Sequence, residues 1–336
     1  MTLSGRIEAL AALGNAIDHT TNQDLYNKAK YENPWFTVEN IEQSINAIKS
    51  HYLNKEKLEQ WLSNYKITDA PTNKKVGLIL AGNIPLVGFH DIISVFLSGH
   101  TAILKLSDKD RLLPTYIVHK LIGMYPELVD SFEIVERLSD YDAVIATGSN
   151  SSAKVFEKYF GKVPNIIRRN RNGVAVISQQ DTIDSLSGFR NDLFDYFGLG
   201  CRNVSKVYIE KGVHTDLIFE TIEPEKAIIN HNKFKNNYDY SHALYLMNRE
   251  KFLTNDVLIL REHKDIGSRI ACLHFEYYDN RAALVEELNG LSDKIQCVVS
   301  SKPVGGFNHF VFGHAQKPNL SDYADGVDTL AFLNDL

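Results

Sequence analysis

The sequence predicts an α/β protein with two lobes. Its 336 residues exceed the length of a typical single domain, and an apolar share of 44% suits a globular protein with a large core. From Lys75 onward, short apolar runs alternate with helical ones, a pattern typical of parallel strands that are buried on both faces. A second series of such runs begins at Val204.

In the first lobe, amphipathic helices are predicted before and between the strands. The first 70 residues are helical in pattern, with Thr37 as the N-cap of a run through residues 41–48. Gly99 is placed to end a helix, and Pro114 lies where the next helix can begin. The predicted strands are residues 76–80, 101–105, 132–135, 143–146 and 174–177.

The second lobe is predicted to begin with a helix through residues 186–197, followed by the turn GLGCRN. An alternating strand follows at residues 204–210. The segments RIACLHFEYYD and IQCVVSS are predicted as further strands, with the helix RAALVEELNG between them. The tail PNLSDYADGVDTLAFL, residues 318–333, either adds an edge strand or lies over the first lobe.

Composition and charge argue against several classes of protein. The chain has a formal net charge of −6 and no long Lys/Arg run, so it is not expected to bind a nucleic acid or an anionic membrane. Its expected partners are small molecules. The N-terminal residues MTLSGRIEAL do not match a secretory signal, so a cytoplasmic location is expected. The most apolar stretch, residues 76–99, is interrupted by polar residues and a proline, so no membrane span is predicted.

The three cysteines differ in their sequence context. Their odd number and the absence of CxxC spacing argue against a disulfide framework and a thiolate zinc site, and no metal is predicted. Cys272 and Cys297 lie in apolar strand patterns, which favours buried, inert thiols. Cys201 lies in a helix-to-strand turn between Gly200 and Arg202, where a neighbouring guanidinium favours the reactive thiolate. Cys201 is therefore the candidate nucleophile.

Polar residues follow three strands of the first lobe. Asn83 comes after the first strand, where its amide suits an oxyanion hole; the alternative is that it caps the following helix. Lys105 ends the second strand, and Thr147, Gly148 and Ser149 precede a helix whose N-terminal N–H groups can bind phosphate. No strand is followed by GxGxxG, so the common dinucleotide fingerprint is missing.

The order of the segments LILAGNIPL, TAILKLS, ATGS and GLGC resembles the aldehyde dehydrogenase superfamily, and most closely its acyl-CoA reductase branch, which includes the fatty acyl-CoA reductase of bacterial luminescence. The resemblance covers residues 75–310. It implies an aldehyde-dehydrogenase-like fold of two α/β lobes, a Rossmann-like cofactor lobe and a catalytic lobe that carries the cysteine. The implied domains are an N-terminal helical region (1–72), a nucleotide-binding lobe (73–180), a catalytic lobe (181–308) and a C-terminal tail returning to the core (309–336).

The resemblance also implies roles for individual residues. Cys201 matches the nucleophile, and Asn83 matches the amide that holds the oxyanion together with the cysteine's backbone N–H. Lys105 matches a contact to the adenosine ribose, while Gly148 and Ser149 match the pyrophosphate site. The implied cofactor is NADPH or NADH, and its expected contacts are Ala81, Gly82, Lys105, Ser107, Thr147, Gly148 and Ser149.

The sequence departs from the superfamily at one informative place and matches it poorly at another, and it does not identify the proton donor. The hydrolytic members carry a glutamate in an ELGG-like motif, whereas residues 168–173 read RRNRNG. Loss of this general base fits a thioester that exchanges with coenzyme A, and equally an inactive homologue. Glu262 matches the ribose-binding glutamate poorly and is better explained as a solvated carboxylate. His309 and His314 are possible proton donors or simply surface or packing histidines.

Together these features predict NAD(P)H-dependent reduction of an acyl-CoA, with a fatty acyl-CoA expected, through an acyl thioester on Cys201. An acyl-phosphate reductase of the same fold and a non-catalytic nucleotide-binding homologue are the alternatives. A homo-oligomer is a further expectation from the resemblance.

Overall fold

The computed structural model describes residues 1–68 and 73–336, which form two compact units. The first unit consists of residues 1–170 and 318–336, and the second unit is the intervening segment, residues 171–317. The chain therefore has the two α/β lobes that its sequence predicts, with the second inserted into the first.

Helices form the N-terminal part of the chain and most connections between strands. They are α1 (Leu3–Ala16), α2 (Gln23–Glu32), α3 (Val38–His51), α4 (Lys55–Leu62), α5 (Phe89–Ser98), α6 (Leu112–Met124), α7 (Asn150–Phe160), α8 (Phe189–Phe194), α9 (Asp216–Ile222), α10 (Asn232–Met247), α11 (Arg281–Gly290) and α12 (Thr329–Asn334). Short 3-10 segments lie at Thr20–Asn22, Pro126–Ser131, Asp195–Gly198, Glu223–Asn230, Ser292–Lys294 and Ala324–Gly326.

The strands form one sheet in each unit. Those of the first unit are β1 (Lys75–Ile79), β2 (Thr101–Lys105), β3 (Phe132–Ile134), β4 (Ala143–Thr147) and β5 (Asn165–Arg168). Those of the second unit are β6 (Asn172–Ile177), β7 (Val204–Glu210), β8 (Leu253–Thr254), β9 (Ile259–Glu262), β10 (Cys272–Tyr278), β11 (Ile295–Val299) and β12 (His309–Phe310).

The sheet of the first unit is parallel, in the order β3-β2-β1-β4-β5. Strands β1 to β4 follow the predicted positions within one residue at each end, which confirms that part of the prediction. The N-terminal helices share one hydrophobic core with α5, α6 and the sheet. The described residues 1–68 therefore belong to the same unit as the sheet instead of forming the separate N-terminal region that was predicted.

The sheet of the second unit has the order β12-β11-β6-β7-β10-β9-β8 and is parallel except for the antiparallel pair β8 and β9. The assignment of residues 174–177 to the first lobe is wrong, because β6 pairs with β7 and β11. Gly173 permits this pairing, since a Cβ there would lie 2.5 Å from the carbonyl oxygen of Arg202. The unit boundary follows Asn170, earlier than the predicted boundary after residue 180.

Two local predictions of helix ends are confirmed. The Thr37 side chain accepts the N–H of Asn40 at 3.2 Å and caps α3. Gly99 adopts the left-handed conformation, with φ 83°, and its N–H donates to the carbonyl of Phe96 at 3.1 Å, which ends α5. Both features depend on neighbouring residues alone, which is why the sequence predicts them.

The helix predicted through residues 186–197 is wrong in its extent. The structure has only α8, followed by the 3-10 segment Asp195–Gly198. Tyr196 and Phe197 have φ values of 53° and 58°, which no right-handed helix contains. Their apolar side chains are buried as the helical pattern requires, but the backbone turns beneath them.

Of the two placements left open for the tail at residues 318–333, the structure has the return to the first unit, and the tail adds no strand to either sheet. His309–Phe310 is the edge strand β12, paired with β11. Residues 318–336 return to the first unit, where α12 packs on α5. Within residues 1–68 and 73–336, no helix combines the length and the apolar character needed to cross a bilayer.

Candidate active site

The three thiols lie in the second unit, in different environments. Cys272 in β10 is 5% exposed and Cys297 in β11 is fully buried, which confirms that these two are buried strand residues. Burial raises the pKa of the Cys272 thiol. Cys201 is partly exposed, in the turn that precedes β7. It is therefore the most accessible of the three thiols.

Asn203 fixes the turn that carries Cys201. Its Oδ1 accepts the N–H of Gly200 at 2.8 Å, while its own N–H donates to the Gly200 carbonyl at 3.1 Å. Its Nδ2 donates to the carbonyls of Asp192 and Asp195, both at 3.0 Å. Asn203 is only 4% exposed, and a buried, fully bonded amide of this kind holds the backbone in one conformation.

The residues immediately before this turn have a strained backbone. Tyr196, Phe197 and Gly198 all adopt positive φ values, of 53°, 58° and 75°. For the two aromatic residues this conformation costs on the order of 1–3 kcal/mol each. The Phe197 ring stacks on His231, with ring centroids 4.1 Å apart, which helps to hold the conformation. Strain of this kind is concentrated at functional sites.

Asp192 connects α8 to the last part of the second unit. Its carboxylate is 1% exposed and accepts the N–H of Gly313 at 2.6 Å and that of Ala315 at 3.0 Å. Burial raises the pKa of Asp192 to about 7, although the two N–H groups act in the opposite direction. This carboxyl group therefore positions the residues around Ala315 beside the structure that holds Cys201.

Gln316 follows in the same segment and packs on the cysteine turn. A Cβ at Gly200 would lie 3.1 Å from Nε2 and 3.2 Å from Oε1 of Gln316. Glycine at position 200 therefore allows this close approach. The Nε2 atom of Gln316 is buried and has no hydrogen-bond partner within the described chain. A buried unpaired donor costs roughly 1–3 kcal/mol, so this amide is a candidate donor to a substrate oxygen.

The other predicted residues of the second unit have structural partners or lie at the surface. The Arg202 guanidinium lies over the Phe310 ring, 5.5 Å from its centroid. His309 Nε2 is 2.8 Å from the carbonyl of Ser300, and His314 is exposed, with Nδ1 3.2 Å from the carbonyl of Phe312. Glu262 is exposed at the end of β9, as expected for a solvated carboxylate.

The predicted cofactor residues of the first unit lie at one edge of its sheet. Strand β1 has β2 on one side and β4 on the other, so the chain order reverses between β1 and β4. Open α/β sheets bind ligands at such a reversal, outside the carboxyl ends of the strands. Ala81, Gly82 and Asn83 follow β1, Lys105 ends β2, and Thr147 ends β4. The topology thus brings these residues to neighbouring strand ends.

The turn after β1 passes very close to the turn after β2. A Cβ at Gly82 would lie 2.6 Å from Ser107 Oγ and 3.1 Å from the backbone nitrogen of Asp110. The Asp110 carboxylate accepts the N–H of Leu86 at 2.6 Å, and its Oδ1 has no partner within the described chain. Burial raises the pKa of Asp110 to about 7. Asp110 therefore ties the two turns together.

Asn83 does not cap the following helix. Helix α5 begins six residues later, at Phe89, and its N-cap is Gly88, which has no side chain to donate or accept. Asn83 is partly exposed in the bend after β1. The capping alternative for Asn83 is therefore wrong, and its role in an oxyanion hole stays a prediction.

The turn after β4 leads directly into α7. Ser149 caps this helix by accepting the N–H of Ser152 at 3.2 Å. A Cβ at Gly148 would lie 2.9 Å from the Phe156 ring, so only glycine fits where the strand bends into the helix. The helix N-terminus consequently stands at the reversal point of the sheet, where its N–H groups suit a phosphate.

These features together fit a nicotinamide dinucleotide. The N-terminus of α7 offers backbone N–H groups for a pyrophosphate, and the close packing of the turns at Gly82 and Ser107 keeps the two strand ends together beside it. The Lys105 ammonium lies at the end of β2, 3.0 Å from the carbonyl of Leu106, on a flexible side chain that can turn toward a ribose hydroxyl.

Four residues that build these sites were missed by the sequence interpretation. Asp192 and Gln316 are joined to their partners by contacts across more than 100 residues, which no local pattern indicates. Asp110 and Asn203 lie in the motifs KLSDKD and GLGCRN. Their closeness in sequence could have indicated both, because Asp110 lies five residues after Lys105 and Asn203 lies two residues after Cys201.

Solved aldehyde dehydrogenases share this fold. Aldehyde dehydrogenase 21 from Physcomitrella patens, in complex with succinate, has a TM-score of 0.70 at 12% identity and covers 100% of this chain and 84% of its own. Lactaldehyde dehydrogenase from Escherichia coli has a TM-score of 0.67 at 12% identity, with 93% and 79% covered. An indole-3-acetaldehyde dehydrogenase in complex with NAD+ has a TM-score of 0.68 at 12% identity, with 93% and 76% covered. The aldehyde-dehydrogenase-like fold predicted from the sequence is thereby confirmed.

Sequence comparison narrows this result to a family. No curated protein matches the chain. The model of the acyl-CoA reductase (LuxC) family matches residues 17–217, more than half of the chain. The matched segment contains Cys201 and the predicted residues at the strand ends of the first unit. The chain therefore belongs to the acyl-CoA reductase (LuxC) family.

Proposed function

We propose that the protein reduces an acyl-CoA, with a fatty acyl-CoA as the expected substrate, to the aldehyde through a thioester on Cys201. The observation that supports this most strongly is the setting of Cys201. It lies in a partly exposed turn, next to a strained backbone, inside the segment that matches the acyl-CoA reductase family. Both other thiols are buried in strands.

The proposed chemistry uses one thiolate twice. The Cys201 thiolate attacks the carbonyl carbon of the acyl thioester, and the bond from that carbon to the coenzyme A sulfur then breaks. Coenzyme A leaves as a thiolate and takes up a proton, while the acyl group remains on Cys201. Hydride addition to this carbonyl carbon gives a thiohemiacetal anion. Loss of the Cys201 thiolate from the anion releases the aldehyde and restores the enzyme.

The carbonyl oxygen becomes negative in both steps and needs hydrogen-bond donors. The backbone N–H of Cys201 is one candidate, because Asn203 holds its turn on both sides. Asn83 is a second candidate, assigned by the resemblance, and the buried Nε2 of Gln316 is a third. Replacing Asn83 with Ala should lower kcat by about 100-fold or more, the usual effect of losing one oxyanion donor.

A reduced nicotinamide, NADPH or NADH, supplies the hydride when bound. The residues proposed to hold it are Ala81, Gly82, Lys105, Ser107, Thr147, Gly148 and Ser149. The NAD+ complex of an enzyme with the same fold supports a nicotinamide cofactor here. The choice between the two forms is measured directly by comparing their dissociation constants.

The acyl-enzyme should exchange with thiols and resist water. Residues 168–173, RRNRNG, carry no carboxylate at the position where hydrolytic relatives carry a glutamate. Without a general base, water attacks a thioester slowly. Hydrolysis of the acyl-enzyme to the free acid should therefore be slow compared with its reduction to the aldehyde.

The test is oxidation of reduced nicotinamide with a series of acyl-CoAs, with free thiol measured in parallel. Wild type should oxidise one cofactor for each thiol released. Cys201→Ala should abolish turnover and leave cofactor binding unchanged. Cys272→Ala is the matched control, because it removes a buried thiol of the same unit and should retain turnover.

Other outcomes point to other functions. Turnover with an acyl phosphate, and none with any acyl-CoA, would replace the proposal with an acyl-phosphate reductase. A non-catalytic protein would give two results. It would turn over neither substrate, and Cys201 in the folded protein would be alkylated no faster than Cys272 and Cys297 are once the protein is unfolded. In both cases cofactor binding, measured alone, shows whether the first unit is intact.

A further inference from the structure

The second unit contains a polar cavity that is separate from the cysteine turn. Its volume is about 200 Å³, smaller than the roughly 300–1,000 Å³ of pockets that enclose drug-sized ligands, so a small group fits. The cavity lies beyond the carboxyl ends of β6 and β11. Its lining residues are Val176, Ser178, Gln180, Asp181, Ser185, Arg281, Ser300, Ser301 and Lys302.

The cavity lies at the reversal point of the second sheet. From β6 the chain proceeds to β7 on one side, and it returns later to β11 on the other side. A crevice outside the carboxyl ends of two such strands is where open α/β sheets bind their ligands. The first unit has its proposed cofactor site at the equivalent point, whereas the reductase chemistry proposed above assigns nothing to this one.

The charges of the cavity favour an anion. Arg281 and Lys302 are exposed, and neither forms an ion pair with a carboxylate in the described part of the chain. Lys302 donates to Gln180 Oε1 at 2.7 Å, and Arg281 donates to the carbonyls of Lys302 and Pro303 at 3.0 and 2.9 Å. These neutral acceptors hold both cations at the cavity without neutralising them.

The one carboxylate of the cavity is already engaged. Asp181 Oδ2 accepts the N–H and the hydroxyl of Ser178 at 2.8 and 2.9 Å, while Oδ1 accepts the hydroxyls of Ser301 and Ser185. These four neutral donors stabilise its negative charge without removing it, so two cations and one carboxylate leave the cavity with a net formal charge of +1. The amides at the start of α11 are bonded to Asn280, so the cations, and not the helix terminus, define the cavity.

We infer that this cavity binds a phosphate group, either free or as part of a phosphate ester. Two cations that have no carboxylate partner in the described part of the chain, one of them a guanidinium, and several hydroxyls line a space of about 200 Å³, which is large enough for a phosphate group. Guanidinium and ammonium groups are the side chains that proteins use for phosphate. The site is independent of Cys201 and of the proposed reduction.

The inference is tested with inorganic phosphate, titrated calorimetrically into the protein without acyl-CoA or nicotinamide. Saturable binding is expected, weakened about tenfold or more in R281Q/K302Q, since hydrogen bonds between charged groups contribute roughly this factor. K294Q is the matched control: it removes an exposed cation of the same unit outside the cavity and should bind phosphate like wild type. Acetate replaces phosphate to test whether any small anion suffices.

Each result has a defined meaning. The inference is wrong if phosphate does not saturate, if acetate binds equally well, or if K294Q loses as much affinity as R281Q/K302Q. Titration of wild type and R281Q/K302Q with AMP separates the two sources of phosphate, and only the binding that R281Q/K302Q loses is compared, because AMP also fits the proposed cofactor site of the first unit. Tighter binding of AMP than of phosphate to the cavity identifies an ester, and equal or weaker binding identifies the free ion. Thermal unfolding of the variants shows that they remain folded, and reductase assays are not involved.

Discussion

Asp192 is a single carboxyl group on which two distant segments depend. It accepts N–H groups from Gly313 and Ala315 and is almost completely buried. Replacing it with Ala should lower the free energy of unfolding by about 2–6 kcal/mol, because two buried donors lose their acceptor at roughly 1–3 kcal/mol each. Urea unfolding measures this loss.

Comparing D192N with D192A tests whether Asp192 acts through its hydrogen bonds or only by filling space. Asn at this position keeps one acceptor oxygen, so D192N should recover about half of the stability lost in D192A. If D192N and D192A are equally destabilised, or neither is, the two hydrogen bonds do not hold the segment. The rate of Cys201 alkylation should fall in D192A, since Gln316 follows Ala315 directly and packs on Gly200.

Asp110 should make stability depend on pH. Burial raises its pKa from an ordinary value of 3.8 to about 7. Below about pH 4 the carboxyl is protonated in both the folded and the unfolded state, and its contribution to stability is fully present. Between pH 4 and 7 the unfolded state loses the proton first, so this contribution declines as pH rises. The free energy of unfolding, measured across this range, should fall less steeply in D110N than in wild type.

The matched control for this measurement is Asp108→Asn. Asp108 is exposed in the same loop, so its substitution should leave the slope unchanged. Equal slopes in D110N and wild type would mean that Asp110 does not titrate in this range. Because Asn retains an oxygen for the N–H of Leu86, the substitution changes the charge and keeps the bond that joins the two turns.

At the scale of single residues, sequence context identified the candidate nucleophile but not the residues that hold its turn in place. Cys201 was recognisable because its neighbours are turn residues, unlike those of Cys272 and Cys297. Asp192 and Gln316 lie in segments that read as an ordinary amphipathic helix and a glycine-rich loop. Their partners become neighbours only when the second unit folds.

Helix ends provide the sharpest test at the scale of elements. Gly99 ends α5 with φ 83°, so Gly99→Ala should destabilise the protein by about 1–2 kcal/mol, the cost of a left-handed conformation for a residue with a side chain. Gly123 is the penultimate residue of α6, and nothing lies within 4 Å of a Cβ placed there. Gly123→Ala should stabilise by about 0.5–1 kcal/mol.

The opposite signs make this pair informative. Both substitutions add the same methyl group, so thermal or urea unfolding compares backbone conformation alone. Destabilisation by both variants would show that α6 does not extend through Gly123. Stabilisation by both would show that Gly99 is not in the left-handed region.

The longer strands of both sheets were predicted best, whereas the shortest edge strands were missed. Strands β1, β2 and β4 lie inside their sheet and are apolar runs in the sequence, while β7 lies inside the other sheet and is an alternating strand, and the sequence located all four closely. Strands β8 and β12 have two residues each and lie at sheet edges, where no periodic pattern can develop. The predicted helix over residues 186–197 failed because apolar spacing does not reveal a backbone that turns left-handed at Tyr196.

At the scale of the whole molecule, a buried ion pair in the first unit joins the end of β5 to α5 and α12. The Arg168 guanidinium donates to both carboxylate oxygens of Asp91, at 2.5 and 2.8 Å, and to Thr329 Oγ1 at 3.0 Å. Arg168→Ala would leave the Asp91 carboxylate buried without its partner. We expect a loss of about 3–5 kcal/mol in the free energy of unfolding.

An exposed ion pair of the same unit is the control for this substitution. Arg111 and Glu136 are solvent-exposed, and such pairs contribute little, so Arg111→Ala should leave stability within error of wild type. If Arg168→Ala behaves like Arg111→Ala, the pair does not hold α12 in place. Chemical denaturation of both variants under the same conditions decides between these outcomes.

The insertion of the second unit into the first sets an order for biosynthesis. Ribosomes deliver residues 1–170 first, yet the segment that supplies Thr329 and Leu333 to that unit is made only after residues 171–317. While the second unit emerges, the face of α5 that α12 covers in the folded protein has not yet received α12. The first unit therefore begins to fold before the second unit but completes its fold after it. Until α12 is in place, the apolar surface that α12 covers is accessible to chaperones.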